Sequence, residues 1–320
     1  MLPGHEYLPR EFGSCPNHLM RLLGVGEIVG RHIFSQNHLD QAALKSPVVF
    51  RRWDSAVVPD LFFLETTEHD IFYGDHVHDA MEVLWIRSGF FELAYRGTRY
   101  PMHGGDAIII APNEVHAGGP CNRSRFRFAT LHIPRKLMET RFDLGDFGGS
   151  DRRPLAPVHF LSGLLAERLY QQLIRGLPTT VSLADQTACL GDALHGLFWR
   201  SALLTQIAVP QLTHHPAVQR VRTAINHMYT ETVDMGSLAT EAGLHPRYLI
   251  ELFNKVVGLP PHQYQIAQRV EFARRLLDDE LSLSAVASTA GFSDQSHFYR
   301  HFKRTYCMTP AAYRDHTIPL

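Results

Sequence analysis

Two sets of residues have types and spacings that can do chemistry. The first lies in "GDHVHDAMEVLWIRSG", where His76, His78 and Glu82 stand as H-x-H-x3-E, and in "GGDAIIIAPNEVH", which ends on His116. Imidazole and carboxylate donors suit iron, manganese, zinc or nickel. The same groups suit the polar wall of a small-molecule pocket. The plainer alternative is that His76 and His116 bond to backbone. The second set lies in "GFSDQSHFYRHFKRTYCMTPAAYR", residues 291–314. Phe298, Phe302 and Tyr306 recur every four residues and make one apolar stripe. Gln295, Ser296, His297, Tyr299, Arg300, Lys303 and Arg304 fall elsewhere on the same helix. Amide and guanidinium groups read base edges, while cations and hydroxyls hold phosphates. Taken singly, such a helix is more simply an amphipathic surface helix with a solvated polar face.

The rest of the chain bounds these choices. It has 320 residues, 45% hydrophobic and 20% charged, so two domains with a real core are expected. Cys15, Cys121, Cys189 and Cys307 have neither zinc-ligand nor redox spacing, which implies a reducing cytosol without a disulfide frame. "MLPGHEYLPREFG" is polar, broken by prolines and lacks a signal-peptide core. The longest clean aliphatic run, residues 107–111, is far too short to cross a bilayer. A soluble cytoplasmic protein without membrane contact is expected, at the nucleoid when bound to DNA. The formal net charge of −1 does not announce a nucleic-acid partner.

The elements that must position these residues are readable in outline. Residues 1–47 show no strong period and form a lead-in segment. Over residues 48–136, short apolar runs are punctuated by Ser88-Gly89, Gly97 and Gly104-Gly105, the pattern of an antiparallel sandwich or barrel. "RFRFATLHI" alternates as a late strand. Residues 135–157, with Gly148-Gly149, Pro154 and Pro157, read as a loop. Helices are expected over residues 158–174 and 182–204. Leu183, Leu190, Leu197 and Leu204 lie seven apart, which suits either a seam with a second copy or packing on the chain's own barrel. Residues 155–206 are therefore assigned as a helical dimerisation region, followed by a linker, "VPQLTHHP".

The last third contains itself twice. "SLATEAGLHPRYLIELFNKVVGLPPHQY" aligns with "SAVASTAGFSDQSHFYRHFKRTYCMTPAAY", with Gly243 on Gly291, Phe253 on Phe302 and Tyr264 on Tyr313. Each copy reads as helix, glycine turn, helix, and the glycine permits a left-handed backbone between steeply crossing helices. Ser293 is expected to cap the following helix, with Asp294 in its first turn. In the first copy His245 takes the cap and Pro246 the first helical position. Between the copies, Ala267, Val270, Ala273 and Leu277 give a linking helix its buried face. Two copies at fixed separation favour DNA, since successive major-groove entries on one face lie ~34 Å apart.

"SLATEAGLHPRYLIELF", "QRVEFARRLL" and "VASTAGFSDQSHFYRHFKRTYCMTPAAYR" resemble the AraC/XylS family of bacterial transcription regulators over residues 214–316. The resemblance implies that the second helix of each copy reads DNA. It points to Arg247, Tyr248, Ile250 and Glu251 in the first copy and to Gln295, Ser296 and Arg300 in the second. His297, Tyr299, Lys303 and Arg304 are assigned to phosphates or packing. Two positions depart from the family. Glu251 stands where a polar or basic group is common, and an acid there can accept from a cytosine amino group. Cys307 replaces the glycine of "FGMTP", at ~1 kcal/mol if the backbone there is left-handed.

The histidine set, with Gly89 and Pro112, resembles the two cupin motifs of a small β-barrel. In cupin enzymes three histidines and a glutamate bind a divalent metal. Here Pro112 and His116 are one residue closer, without an intervening glycine, as in sensor cupins attached to AraC-type DNA-binding domains. The resemblance implies an effector pocket built from His76, His78, Glu82 and His116. Trp85, Arg87 and Tyr95 would join it if strand alternation turns them inward.

The expected architecture is mixed α and β: an N-terminal cupin-like antiparallel β-barrel followed by helices, then an all-α domain with two helix-turn-helix motifs joined by a linker helix. The expected function is a ligand-responsive transcription regulator, not an enzyme. Its partners would be double-stranded DNA, a small-molecule effector, a second copy of the chain and, for an activator, RNA polymerase. This reading requires no cofactor. A divalent metal in the barrel belongs above all to the alternative, a metal-dependent cupin enzyme with an accessory DNA-binding tail.

Overall fold

Among the described residues of the first half, nine strands follow one another: β1 (Phe50–Asp54), β2 (Phe62–Thr66), β3 (Tyr73–His76), β4 (Ala80–Ser88), β5 (Phe90–Tyr95), β6 (Thr98–His103), β7 (Ala107–Ile110), β8 (His116–Pro120) and β9 (Arg127–Pro134). The computed structural model describes residues 48–120, 124–141, 158–179, 182–198, 205–206, 215–277 and 281–319, so the lead-in at residues 1–47 lies outside the described residues. Three more strands join later: β10 (Val158–Leu161), β11 (Thr205–Gln206) and β12 (Thr317–Pro319). The larger sheet runs β11-β10-β7-β4-β9-β2-β1-β12 and the smaller β3-β8-β5-β6.

Strand alternation divides the core. Leu84 and Ile86 of β4 share an apolar interior with Phe91 and Leu93 of the smaller sheet. Met81, Val83 and Trp85 face the opposite side, where α1 (Arg135–Arg141), α2 (Gly163–Gly176) and α3 (Leu183–Phe198) cover the larger sheet. On α3, Leu190 and Leu194 are buried against that sheet, while Leu183 is exposed.

Two local expectations of secondary structure are corrected. Residues 135–141 are a helix rather than loop, because Leu137 and Met138 find burial against the sheet's outer face. Residues 158–161 are a strand rather than the start of a helix, pairing antiparallel with β7 from Val158↔Ile110 to Leu161↔Ala107. A four-residue segment carries no period long enough to separate the two. The helix begins only after Ser162. Residues 199–204 of the second expected helix lie outside the described residues.

The last third folds as α4 (Pro216–Met228), α5 (Met235–Glu241), α6 (Pro246–Val257), α7 (Pro261–Leu276), α8 (Leu283–Thr289), α9 (Gln295–Tyr306) and α10 (Pro310–His316). α5–α6 and α8–α9 are the two helix-turn-helix units. Gly243 (φ 64°) and Gly291 (φ 80°) hold the left-handed turns. His245 caps α6 by accepting from Arg247 N at 3.3 Å. The cap of α9 is Asp294, not Ser293: its carboxylate accepts from His297 N at 2.7 Å, and Ser293 Oγ donates to the same carboxylate. Cys307 ends α9 at φ 54°, where a side chain costs ~1 kcal/mol. Its thiol donates to Phe72 O at 2.8 Å.

The linking helix α7 buries Ala267, Val270 and Ala273, with Leu277 just beyond it. It also buries Gln265, Gln268, Glu271 and Arg274. Buried polar groups need partners. Gln268 donates to Asn113 Oδ1 of the β-domain at 2.9 Å and to Asn226 Oδ1 of α4 at 2.7 Å. Val77 and Val115 of the β-domain insert into the core of the first helix-turn-helix unit. The strands and the DNA-binding helices therefore share both apolar and polar contacts.

Candidate functional site

A cavity of about 90 Å³ lies where the two sheets meet the helices. Phe50, Phe62, Leu84, Phe91, Leu93 and Phe128 form its apolar wall. His76, His78, Glu82, His116, Thr130 and His132 form a polar end, and Glu271, Arg274, Tyr306 and Tyr313 contribute from the DNA-binding half.

Backbone carbonyls orient the histidines. Nδ1 of His76 donates to Gly74 O at 2.8 Å, that of His78 to Ala80 O at 2.9 Å and that of His116 to Glu114 O at 2.9 Å. A carbonyl only accepts, so each Nδ1 carries the hydrogen and, in the neutral ring, each Nε2 presents a lone pair. Nε2 of His78 and Nε2 of His116 both lie 3.1 Å from Glu82 Oε2. The other carboxylate oxygen accepts from Thr130 Oγ1 at 2.8 Å. The donor atoms of His76, His78, Glu82 and His116 all fall within 4.8 Å of one another. Lone pairs that close repel unless a proton or a cation lies among them.

The electrostatics follow from this crowding. Burial, with His116 and His78 nearby, brings His76 down to about 3. Burial also opposes charge on His78, but its hydrogen bond to Glu82 outweighs this and raises it. Burial takes His132 well below the ordinary histidine value, with His78 adding to the effect. Glu82 is opposed by burial too, yet the imidazoles of His116 and His78 hold its carboxyl well below the usual range. His116 Nε2 is buried without a hydrogen-bond partner. Three Nδ1–H groups anchored on carbonyls, with their Nε2 atoms converging beside one carboxylate, match the donor set and outer hydrogen bonding that a divalent cation takes. The residues present fit such an ion.

Glu271 and Arg274 form a buried pair on α7, with Nε donating to Oε2 at 2.8 Å and Nη2 to Oε1 at 2.7 Å. Tyr306 Oη of α9 donates to Glu271 at 3.2 Å. Burial opposes ionisation of Glu271, but Arg274 prevails and brings it down to about 2. The Arg274 guanidinium also lies over the Phe62 ring of β2, 5.0 Å from its centroid. One fixed charge pair thus touches the linking helix, the second recognition helix and a cavity strand.

The helical faces expected to read DNA lie apart from this cavity. On α9, Phe298, Phe302 and Tyr306 are buried, Gln295, Ser296, Arg300, Lys303 and Arg304 are exposed, and His297 and Tyr299 are half-buried. On α6, Leu249, Leu252 and Phe253 are buried while Arg247, Tyr248, Ile250 and Glu251 face solvent. Tyr248 is 52% and Ile250 38% exposed. Arg247 Nε donates to Glu251 Oε1 at 3.1 Å, so Glu251 partly neutralises the neighbouring cation.

Three expected pocket residues lie elsewhere. Trp85 faces the outer layer, its indole N–H donating to Ala166 O at 3.0 Å. Arg87 shares that parity, pairing with Glu167 at 2.8 Å and stacking on Tyr170. Tyr95 points inward but beyond the cavity, donating to Glu114 at 2.8 Å. Conversely, His132, Glu271 and Arg274 line the cavity without having been expected there. His132 was findable: in "RFRFATLHI" it shares a strand face with Phe128 and Thr130. The signal for Glu271 and Arg274 was a polar row at three-residue spacing from Gln265 and Gln268, beside the apolar stripe.

Known proteins give the same division. Residues 58–188 match the model of the AraC-like ligand binding domain, and residues 238–316 match a helix-turn-helix domain. The transcriptional activator RhaS of Pectobacterium carotovorum is 32% identical over 256 residues, covering 76% of this chain and 88% of its own. This chain belongs to the AraC family of transcription regulators. The transcriptional activator NphR of a Rhodococcus species is 35% identical over 247 residues, 72% of this chain and 69% of its own. The fold resembles ToxT of Vibrio cholerae at a TM-score of 0.56 and 14% identity, covering 84% of this chain and 97% of that one. The AraC-family chain is a ligand-responsive DNA-binding regulator rather than a cupin enzyme. No helix among the described residues is long and apolar enough to cross a membrane.

Proposed function

We propose that this AraC-family regulator takes its effector in the cavity between the sheets and α7, and that occupancy biases how the DNA-binding helices sit on the β-domain. The observation that carries this reading is the shared wall: Glu271, Arg274 and Tyr306 line the cavity and belong to the linking helix and a recognition helix. A ligand that touches these groups in one arrangement and not another has the differential affinity that coupling requires. An aromatic wall with a polar end suits a small organic acid. ToxT has been crystallised with an unsaturated fatty acid bound, which supports an amphiphile of that kind. In this reading the protein works in the cytoplasm as a homodimer on near-repeated half-sites, gaining from effective concentration. The exposed Leu164 and Leu183, at the starts of α2 and α3, support pairing through the helical region. An activator of this type would also meet RNA polymerase.

The readers are Arg247, Tyr248, Ile250 and Glu251 on α6 and Gln295, Ser296 and Arg300 on α9, with His297, Tyr299, Lys303 and Arg304 serving phosphates or packing. Arg300→Ala is expected to weaken specific binding by about 1–3 kcal/mol and relax preference at one base position. Fluorescence anisotropy on specific and scrambled duplexes measures this, and equal loss on both would assign Arg300 to phosphate.

A second reading rests on the orphaned His116 Nε2. His76, His78, Glu82 and His116 are the residues that would hold a divalent cation, which would anchor an oxygen donor of the effector. Protein dialysed against cobalt(II) and then desalted is expected to retain one equivalent by elemental analysis, and His116→Ala much less. Equal retention by both proteins would place the metal elsewhere.

A further inference from the structure

The strand that follows the DNA-binding helices does not stay with them. β12 leaves α10 directly and joins the edge of the larger sheet, parallel to β1, with Phe50↔Thr317, Arg51↔Ile318 and Arg52↔Pro319 in register. The junction is tight. Thr317 N–H donates to Arg314 O, and Thr317 Oγ1 donates to Tyr313 O at 2.9 Å. Phe50, the partner of Thr317, and Tyr313, four residues before Thr317, have rings 5.3 Å apart, and both line the cavity. Backbone pairing of β1 with β12 therefore draws together an aromatic group from each half of the protein.

The fastening is slight. Pro319 has no N–H, and that of Thr317 is spent within the helix cap, which leaves Ile318 as the N–H donor of β12 to the sheet. Without β12, β1 becomes an unpaired sheet edge. The cavity, at about 90 Å³, is smaller than the ~150 Å³ that accepts a benzene ring. A ligand of that size or larger lies wholly inside only if the wall bearing Tyr313, Tyr306 and Arg274 draws back. β12 is the backbone link that must yield when it does.

We propose that β12 is a clasp. Paired with β1, it holds the DNA-binding helices on the β-domain and keeps the cavity narrow; released, it lets that wall withdraw. The regulatory meaning of the clasp rests on the reading of the cavity as the effector site, but its existence can be tested without any ligand. Three proteins are compared: the full chain, the chain ending at His316, and Ile318→Pro, which keeps the length and removes the donor. Hydroxyl-radical footprinting reads side-chain exposure at Phe50, Tyr306 and Tyr313, with Trp85 on the far face as the internal control. Hydrogen exchange reads the amides of β1 and β4. Both variants are expected to raise oxidation of the three cavity residues at least fivefold and exchange in β1 at least tenfold, leaving Trp85 and β4 unchanged. Unchanged oxidation and exchange overturn the clasp. A rise that extends to Trp85 and β4 in both variants also overturns it, because the strand is then part of the general fold. A clasp present in a protein whose cavity binds no small molecule would sink the effector reading alone.

Discussion

Glu114→Gln is expected to destabilise the protein by about 3–5 kcal/mol, the cost of leaving buried charge uncompensated. Glu114 is 7% exposed and sits at the seam between the β-domain and α4. Its carboxylate accepts from Tyr95 Oη at 2.8 Å, Arg96 Nη2 at 2.9 Å and Arg222 Nη2 at 3.1 Å. Burial opposes its ionisation, yet Arg222 and Arg96 hold the carboxyl below its ordinary range. Glutamine removes the charge and turns its N–H₂ group toward one of the two guanidinium groups, which bond to different carboxylate oxygens. Urea unfolding measures the loss, and adding Arg222→Met should recover part of it by removing one stranded cation. A loss under about 1 kcal/mol would mean that water reaches the seam and solvates the arginines. The sign with pH follows from the lowered folded-state value. The stabilisation is complete above the unfolded carboxylate range and is lost as pH falls through the depressed value in the folded protein.

The second large effect separates the two helix-turn-helix glycines. A Cβ on Gly291 would meet Thr230 O at 2.5 Å and Thr230 Cα at 2.8 Å, both backbone, at φ 80°. A Cβ on Gly243 would meet nothing within 4 Å at φ 64°. Gly243→Ala should therefore cost only the left-handed strain, about 1–2 kcal/mol. Gly291→Ala should add an overpacking cost of about 1–3 kcal/mol, because backbone cannot swing aside as a side-chain end can. The linear-extrapolated urea stabilities of the two variants measure the difference. Equal values would mean that the loop at Thr230 shifts freely.

What the residues made legible were features set by local rules. The left-handed glycines, the His245 cap and the stripe of Phe298, Phe302 and Tyr306 each follow from a few neighbouring positions. The H-x-H-x3-E spacing was equally local, and its residues meet His116 because β3 and β8 pair at His76↔His116. What escaped depended on partners distant in the chain. Trp85 and Arg87 were to join the pocket only if alternation turned them inward, and alternation from Glu82 and Leu84 turns them out; the strand's register decides this, and no single strand displays it. β10 and α1 were missed because segments of four and seven residues carry little period. Burial of Glu271 and Arg274 on a helix with a good apolar stripe becomes visible only once the β-domain covers that helix. β12 is three residues long, and nothing in Thr317, Ile318 and Pro319 announces a pairing with a strand more than 260 positions earlier.

The account stands on two exposed helical faces reading one duplex. Selection from a random double-stranded DNA library with the full chain tests this most directly, run in parallel with Arg247→Ala and Arg300→Ala. The predicted result is a motif of two segments whose centres lie about one helical turn, 10–10.5 base pairs, apart, with each variant blurring a different segment. A full chain that enriches no motif, or variants that return the wild-type motif unchanged, would contradict it.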